Sequence, residues 1–189
     1  FSRDPYERER YERYQTLAAE IMATYSNTEA TVIQNLFADQ TGYATPKVDV
    51  RGAVFQEGQI LLVREKADYD RWTLPGGWAD VNESPTEAVI KEVREEAGLV
   101  VAVSKLAAVW DRARHPHTPP LPFHIYKLFF ICSVREGKPT AGAETTEARF
   151  FDFSELPSSE LLSQGRVLDY QLKRMFDHYH DPALATDYD

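Results

Sequence analysis

Between Pro46 and the C-terminal region, residues 84–97 are the stretch whose apolar side chains recur at helical spacing, with Ala88, Val89 and Val93 on one face. Pro85 stands where a first helical turn tolerates it, and Gly98 where a helix stops. Strand-patterned runs lie on both sides. Val48, Val50 and Ala53-Val54-Phe55 predict one strand, Glu57-Gly58 a turn, and Gln59 to Arg64 its hairpin mate. Beyond Gly98, apolar character runs from Leu99 through Trp110. A long strand is expected from Phe123 to Val134 and a short one at Phe150-Phe151-Asp152-Phe153. Residues 65–76 read as a polar loop, His115-Pro116-His117-Thr118-Pro119-Pro120 as a rigid loop, and about 164–179 as a final helix. A helix with one apolar face must bury it against the strands around it, so the expected fold class is an α/β layered domain.

The N-terminal region has a different pattern. Tyr11, Tyr14, Leu17, Ala18, Ile21 and Met22 recur at three- and four-residue spacing and predict a helix over 6–25. Ser26-Asn27-Thr28-Glu29 reads as a capping box that opens a short second helix to about Phe37. Gly42 and Pro46 punctuate a linker. Residues 1–45 therefore form a helical extension too small to be stable alone, and 46–189 the main domain. The extension must pack on the rest of the chain or on a partner, and a homodimer is the expected arrangement.

Composition narrows the function classes. The 30 acidic residues exceed the 21 basic ones, for a formal charge of -9. That argues against DNA binding by phosphate neutralisation and against tight, extended RNA binding. The single cysteine, Cys132, follows the apolar run Leu128-Phe129-Phe130-Ile131 and reads as a buried small hydrophobe, with no disulfide framework in the chain. No stretch approaches the roughly 20 apolar residues of a membrane span. Phe1-Ser2-Arg3-Asp4-Pro5 leads into charge and not into an apolar signal core. A cytoplasmic location is expected.

The chemistry concentrates around Leu74-Pro75-Gly76-Gly77-Trp78 and the helix after it. Glu92, Glu95 and Glu96 share a helical face. Like charges at that spacing repel by roughly 0.2–0.5 kcal/mol per exposed pair. A divalent cation reverses the sign, since Mg²⁺ and Mn²⁺ take hard carboxylate oxygens. The alternative for the helix alone is a solvated charged face, because Glu is a good helix former. Gly76-Gly77 lets the backbone turn sharply and approach a ligand.

Gly77, five residues, Glu83, seven residues, and then Lys91-Glu92-Val93-Arg94-Glu95-Glu96-Ala97-Gly98-Leu99 resembles the Nudix box. Lys91 stands where that signature has arginine, which keeps the charge and loses the planar fork. Residues 46–160 resemble the whole Nudix fold, a mixed sheet between helices. Asp4 to Glu12 and Asp111-Arg112-Ala113-Arg114-His115-Pro116-His117 resemble segments of a subgroup that hydrolyses X-linked nucleoside diphosphates, ADP-ribose and CDP-choline among them, typically as dimers. The resemblance implies hydrolysis of a pyrophosphate bond with Mg²⁺ or Mn²⁺. It implies Glu92, Glu95, Glu96 and the Gly77 carbonyl as metal ligands, with Glu92 or Glu96 taking the water's proton in some members. Glu83 then reaches the metal through water or fixes Lys91. It also implies a later-loop glutamate as general base or extra ligand: Glu144 ahead of Glu147, with a solvated carboxylate the alternative for each.

Arg64 and Arg51 are candidate phosphate contacts, and surface charge is an equal role for Arg51. Trp72, Trp78 and Trp110 offer base-stacking faces or core packing. Tyr6 and Tyr14 either close the pocket or pack in an interface. Asp111, Arg112 and His115 are candidate substrate contacts by the subgroup likeness; exposed loop positions are the alternative for His115 and His117. Two competing functions remain: a pyrophosphohydrolase of oxidised nucleoside triphosphates, and a Nudix module that senses nucleotides without catalysis. Lost box glutamates or an attached DNA-binding domain would mark the second, and every box acid is present.

Overall fold

A computed structural model describes residues 4–26, 28–38 and 45–189. The expected side-chain cap at Ser26-Asn27 and the linker residue Gly42 lie outside the described residues. The chain divides into two compact units, Phe1–Thr45 with Pro119–Phe123, and Pro46–Thr118 with His124–Asp189. In the first, α1 (Pro5–Ser26) and α2 (Ala30–Ala38) lie against each other. Tyr11, Tyr14, Leu17 and Ile21, the apolar stripe expected from the sequence, remain at least half exposed along α1.

Among the described residues of the second unit, seven strands form one sheet: β1 (Lys47–Gln56), β2 (Gln59–Glu65), β3 (Arg71–Thr73), β4 (Val100–Asp111), β5 (Ile125–Glu136), β6 (Thr145–Phe151) and β7 (Asp187–Tyr188). Their order is β3-β2-β1-β5-β4-β7, with β6 also paired to β2. Glu57 and Gly58 both have left-handed φ, 53° and 85°, as a two-residue hairpin turn requires. The hairpin pairs only beside that turn, at Phe55↔Ile60 and Gln56↔Gln59. Beyond it the strands part. β1 runs parallel to β5 from Lys47↔Ile125 to Phe55↔Ser133, and β2 runs antiparallel to β6.

The segment after β3 takes the edge of β1 that β2 leaves. Gly52 N–H donates to the Pro75 carbonyl (2.8 Å), Val50 N–H to Gly77 (2.8 Å), and Ala79 N–H to Val48 (2.9 Å). The glycine turn is thereby laid along β1. Side chains alternate across the sheet. Val50, Val54, Leu61 and Val63 pack with Ala88, Val89, Val93 and Ala97 of α3 (Pro85–Ala97). Ala53, Phe55, Ile60 and Leu62 pack with Leu172, Met175 and Phe176 of α4 (Asp169–His180). Helices therefore cover both faces of a mixed sheet. No described helix is long and apolar enough to cross a membrane.

Several boundaries differ from expectation. β3 lies inside the supposed polar loop, where Trp72, Thr73 and Leu74 are buried; three residues are too few to display a period. β6 begins at Thr145, since Glu147 and Arg149 interrupt the apolar signal, and Phe153 belongs to a 3₁₀ turn. The last helix starts only at Asp169, because Val167 and Leu168 are buried before it and Gln171 Oε1 accepts the Leu168 N–H at 3.0 Å. β7 had no signal; it is two residues long. Cys132 is buried as expected, and burial lifts its thiol to about 12.

Candidate functional site

The site is built around α3, whose rotation about its axis is set at both ends. Ser84 Oγ accepts the Glu87 N–H (3.3 Å) while Glu87 Oε2 accepts the Ser84 N–H (2.9 Å), a reciprocal capping box. Gly98, at φ 67°, ends the helix with its N–H on the Arg94 carbonyl. With Val89 and Val93 against the sheet, Glu96 turns inward and is buried, Glu92 is half-buried, and Glu95 points to solvent.

The glycine turn meets these carboxylates. Gly76 N–H donates to Glu96 Oε2 at 2.9 Å. A Cβ on Gly76 would fall 2.0 Å from the Val50 carbonyl oxygen, at a φ of +145°, so only glycine fits. A Cβ on Gly77 would lie 2.9 Å from Glu92 Oε1. The Gly77 carbonyl already accepts the Val50 N–H, which leaves it one lone pair. Burial raises the Glu96 carboxyl to about 7, with Glu92 and Glu65 adding to the rise and Arg51 and the Gly76 N–H opposing it. Burial also raises Glu92, with Glu95 and Glu144 adding and Arg51 and Lys91 opposing.

Behind the pair sits Arg51, nearly fully buried. Its Nε and Nη2 donate to Asp49 Oδ1 and Oδ2 at 2.9 and 2.6 Å, and Nη1 to the Leu74 carbonyl at 3.2 Å. Lys127, also buried, donates from Nζ to Asp49 Oδ1 at 2.7 Å. Burial would raise Asp49, but Arg51 and Lys127 outweigh it and hold the carboxyl at about 2. Burial, aided by Arg51 and Arg112, brings Lys127 down to about 8 against the pull of Asp49.

The loop after β5 is tied over the C-terminal end of α3. Thr145 Oγ1 and Gly142 N–H donate to the Glu96 carbonyl at 2.7 and 3.2 Å. This places Glu144 where its charge reaches Glu92 while its side chain stays exposed. Lys91 binds Asp80 at 2.7 Å and Glu83 at 3.2 Å, and those hydrogen bonds raise its proton affinity.

Other candidates fall elsewhere. Arg64 leans over Trp72, its Nε on the Asp70 carbonyl (2.9 Å) and Nη1 3.7 Å from Glu147. Alternation along β2 turns it away from Glu65, the neighbour whose charge reaches Glu96. Trp72 and Trp110 are core residues, whereas Trp78 is 47% exposed beside Asp49. Arg112 is buried with Nε on the Gly165 carbonyl (3.3 Å). Asp111 caps the turn after β4 by accepting the Ala113 N–H. His115 is bound on both ring nitrogens, by Tyr170 and by Asp189. His117, expected as an exposed loop histidine, is instead buried. Tyr6 is exposed on α1 in the other unit.

Sequence reasoning missed Asp49, Lys127 and Glu65. Asp49 stands two residues before Arg51 and so shares its face; Lys127 reaches it only through the β1–β5 register, Asp49↔Lys127. Among the described residues, no three carboxylate, imidazole or thiol groups converge as a preformed metal cage. Glu92 and Glu96 nonetheless offer hard oxygen donors beside a backbone kept free of side chain at Gly77. That donor chemistry fits Mg²⁺ or Mn²⁺.

A family model described as "NUDIX domain" matches residues 45–172. A second, "UDP-X-like, N-terminal oligomerisation domain", matches residues 1–37. A Bacillus subtilis (strain 168) protein named "Putative ADP-ribose pyrophosphatase YjhB" is 48% identical over 189 residues, covering 100% of this chain and 88% of its own. The crystal structure of an ADP-ribose pyrophosphatase from Streptococcus suis 89-1591 matches with a TM-score of 0.67 at 36% identity, over 77% of this chain and 100% of that one. The crystal structure of a UDP-X diphosphatase matches with a TM-score of 0.68 at 31% identity, over 100% of this chain and 89% of that one.

Proposed function

The chain belongs to the NUDIX family, and on that premise we propose that it hydrolyses the pyrophosphate bond of a nucleoside diphosphate joined to a second group, with ADP-ribose as the leading substrate. The likeness to proteins named ADP-ribose pyrophosphatase supports the substrate. The observation that carries the reaction is the inward-turned Glu92–Glu96 pair at the Gly76-Gly77 turn, with Arg51 behind it.

In this reading Glu92, Glu95, Glu96 and the Gly77 carbonyl hold a divalent cation, Mg²⁺ or Mn²⁺. When bound, the cation neutralises charge on the diphosphate and lowers the pKa of water. The chain's own residues do the rest. The Gly76 N–H fixes the Glu96 rotamer, and Lys91, Asp80 and Glu83 brace the start of the box. Glu144 is assigned as the acceptor of the water's proton, an assignment supported by the reach of its charge to Glu92. The water oxygen bonds to one phosphorus, the bridging P–O bond breaks, and the products are a nucleoside monophosphate and the phosphate of the second group. Arg51 supplies positive charge, and Trp78 offers an exposed aromatic face for the base.

We assign residues 1–45 as a helical extension that self-associates into a homodimer and 46–189 as the hydrolase domain. The exposed stripe on α1 and the family description for residues 1–37 support the first assignment. A second substrate reading, a UDP- or CDP-linked compound such as CDP-choline, draws on the likeness to the UDP-X diphosphatase.

The test is incubation with Mg²⁺ or Mn²⁺ and ADP-ribose, CDP-choline, a UDP-sugar, and ordinary and oxidised triphosphates, with products separated by chromatography. AMP from ADP-ribose is expected. CMP or UMP instead would transfer the assignment to the second reading, and release of inorganic pyrophosphate from an oxidised triphosphate would replace both.

A further inference from the structure

Arg51 runs against the glycine turn that meets both carboxylates: a Cβ on Gly76, whose N–H donates to Glu96 at 2.9 Å, would lie 2.9 Å from Arg51 Cα, and one on Gly77 would lie 2.9 Å from Glu92 Oε1. A guanidinium in that position ordinarily closes a bidentate pair with a carboxylate. Among the described residues Arg51 makes no ion pair with Glu92 or Glu96. Its fork is occupied by Asp49, on the same face of β1, and Nη1 donates to the Leu74 carbonyl at 3.2 Å. Asp49 is held in turn by Lys127 from the neighbouring strand.

We propose that Asp49, braced by Lys127, is a positioning residue that keeps the Arg51 guanidinium from closing onto Glu92 and Glu96, so that both carboxylates stay open to a divalent cation. The inference rests on the cation-dependent reading above and concerns residues that reading leaves without a role. Charge bookkeeping favours it. Two buried cations share one carboxylate at the triad, and the charge of Arg51 acts on Glu92 and Glu96. Without Asp49, only the bond to the Leu74 carbonyl, at 3.2 Å, holds Arg51 from the nearest carboxylates. A purely structural triad has no such direction, since buried ion pairs are weak contributors to stability that apolar residues of similar volume can replace.

The test is Mn²⁺ binding to the full chain without nucleotide, read from the electron paramagnetic resonance signal of free Mn²⁺. Asp49→Asn is expected to weaken Mn²⁺ by about tenfold, because Arg51 then competes for the ligands through a charge-assisted pair. Asp49→Asn combined with Arg51→Met removes the competitor and is expected to restore most of that affinity. Arg51→Met alone measures the through-space gain from losing the Arg51 charge; a structural role for Asp49 predicts that Arg51→Met gains no more than this when added to Asp49→Asn, and positioning predicts a larger gain. Should Asp49→Asn not fold, Asp49→Asn with Lys127→Met removes one buried cation together with its partner and gives the same reading. Wild-type affinity in a folded Asp49 variant, or failure of Arg51→Met to rescue it beyond the gain it gives alone, overturns the inference. Mn²⁺ binding with no turnover of any nucleotide removes the substrate assignment alone, and the rescue pattern still decides this one.

Discussion

Glu95 and Glu96 are adjacent on α3 yet meet opposite surroundings, solvent for one and the Gly76 amide for the other. Either Glu→Gln change keeps the shape and removes a charge. Each is expected to lower kcat by about two orders of magnitude, the scale of losing one preorganised electrostatic group, with an unchanged circular dichroism spectrum. Wild-type turnover in both variants would remove the assignment of the cation ligands. His117 carries a stability prediction. Its Nδ1–H donates to the Gln164 carbonyl at 2.8 Å, and Nε2 lies 3.4 Å from the Gln171 amide. Burial, with Lys127 and Arg112 nearby, holds it down at about 4, below its ordinary 6.5. Between those values the unfolded chain binds a proton that the folded chain refuses, so stability falls as pH drops from 6.5 to 4, by up to ~3 kcal/mol. Denaturant melts across that range check it, and His117→Gln should flatten the dependence. The glutamates were legible because their spacing is local. Asp49 and Lys127 were not, because 78 positions separate them and only the parallel register joins them.

At the scale of elements, α3 holds the site in phase and the glycine turn receives it. Ser84→Ala removes the hydroxyl half of the capping box and should cost about 1 kcal/mol in a denaturant titration, with the fold retained. An effect near zero would mean that Pro85 and the helix packing set the N-terminus without the cap. Gly76→Ala is more severe. The new Cβ meets the Val50 carbonyl at 2.0 Å in a backbone conformation that alanine avoids. A loss of roughly 1–3 kcal/mol from backbone strain is expected, together with most of the turnover, since the Gly76 N–H moves away from Glu96. Thermal melting beside an activity assay separates the two losses. The start and stop of α3 were readable from Pro85 and Gly98. β3 was hidden in a three-residue stretch with no periodic signal, and of β6 only the Phe150-Phe151 end was read, because Glu147 and Arg149 interrupt the apolar pattern before it.

At the scale of the whole molecule, the prediction concerns residues 1–45. Tyr11, Tyr14, Leu17 and Ile21 form an exposed apolar stripe on α1, the feature on which the proposed self-association rests. Deleting 1–45 is expected to lower the number of subunits per assembly, measured by sedimentation equilibrium; an unchanged stoichiometry would remove the interface role. The sequence by itself determined the layered class, the box of carboxylates and the N-terminal extension, because each is written in local spacing that backbone geometry converts directly into a face. Only the tertiary structure decided how β1 and β2 part beside their turn, how the glycine segment fills the edge left open, and how Asp49, Arg51 and Lys127 gather behind Glu92 and Glu96. Those arrangements depend on pairing between distant strands, and no spacing along a chain encodes which strand will lie beside which.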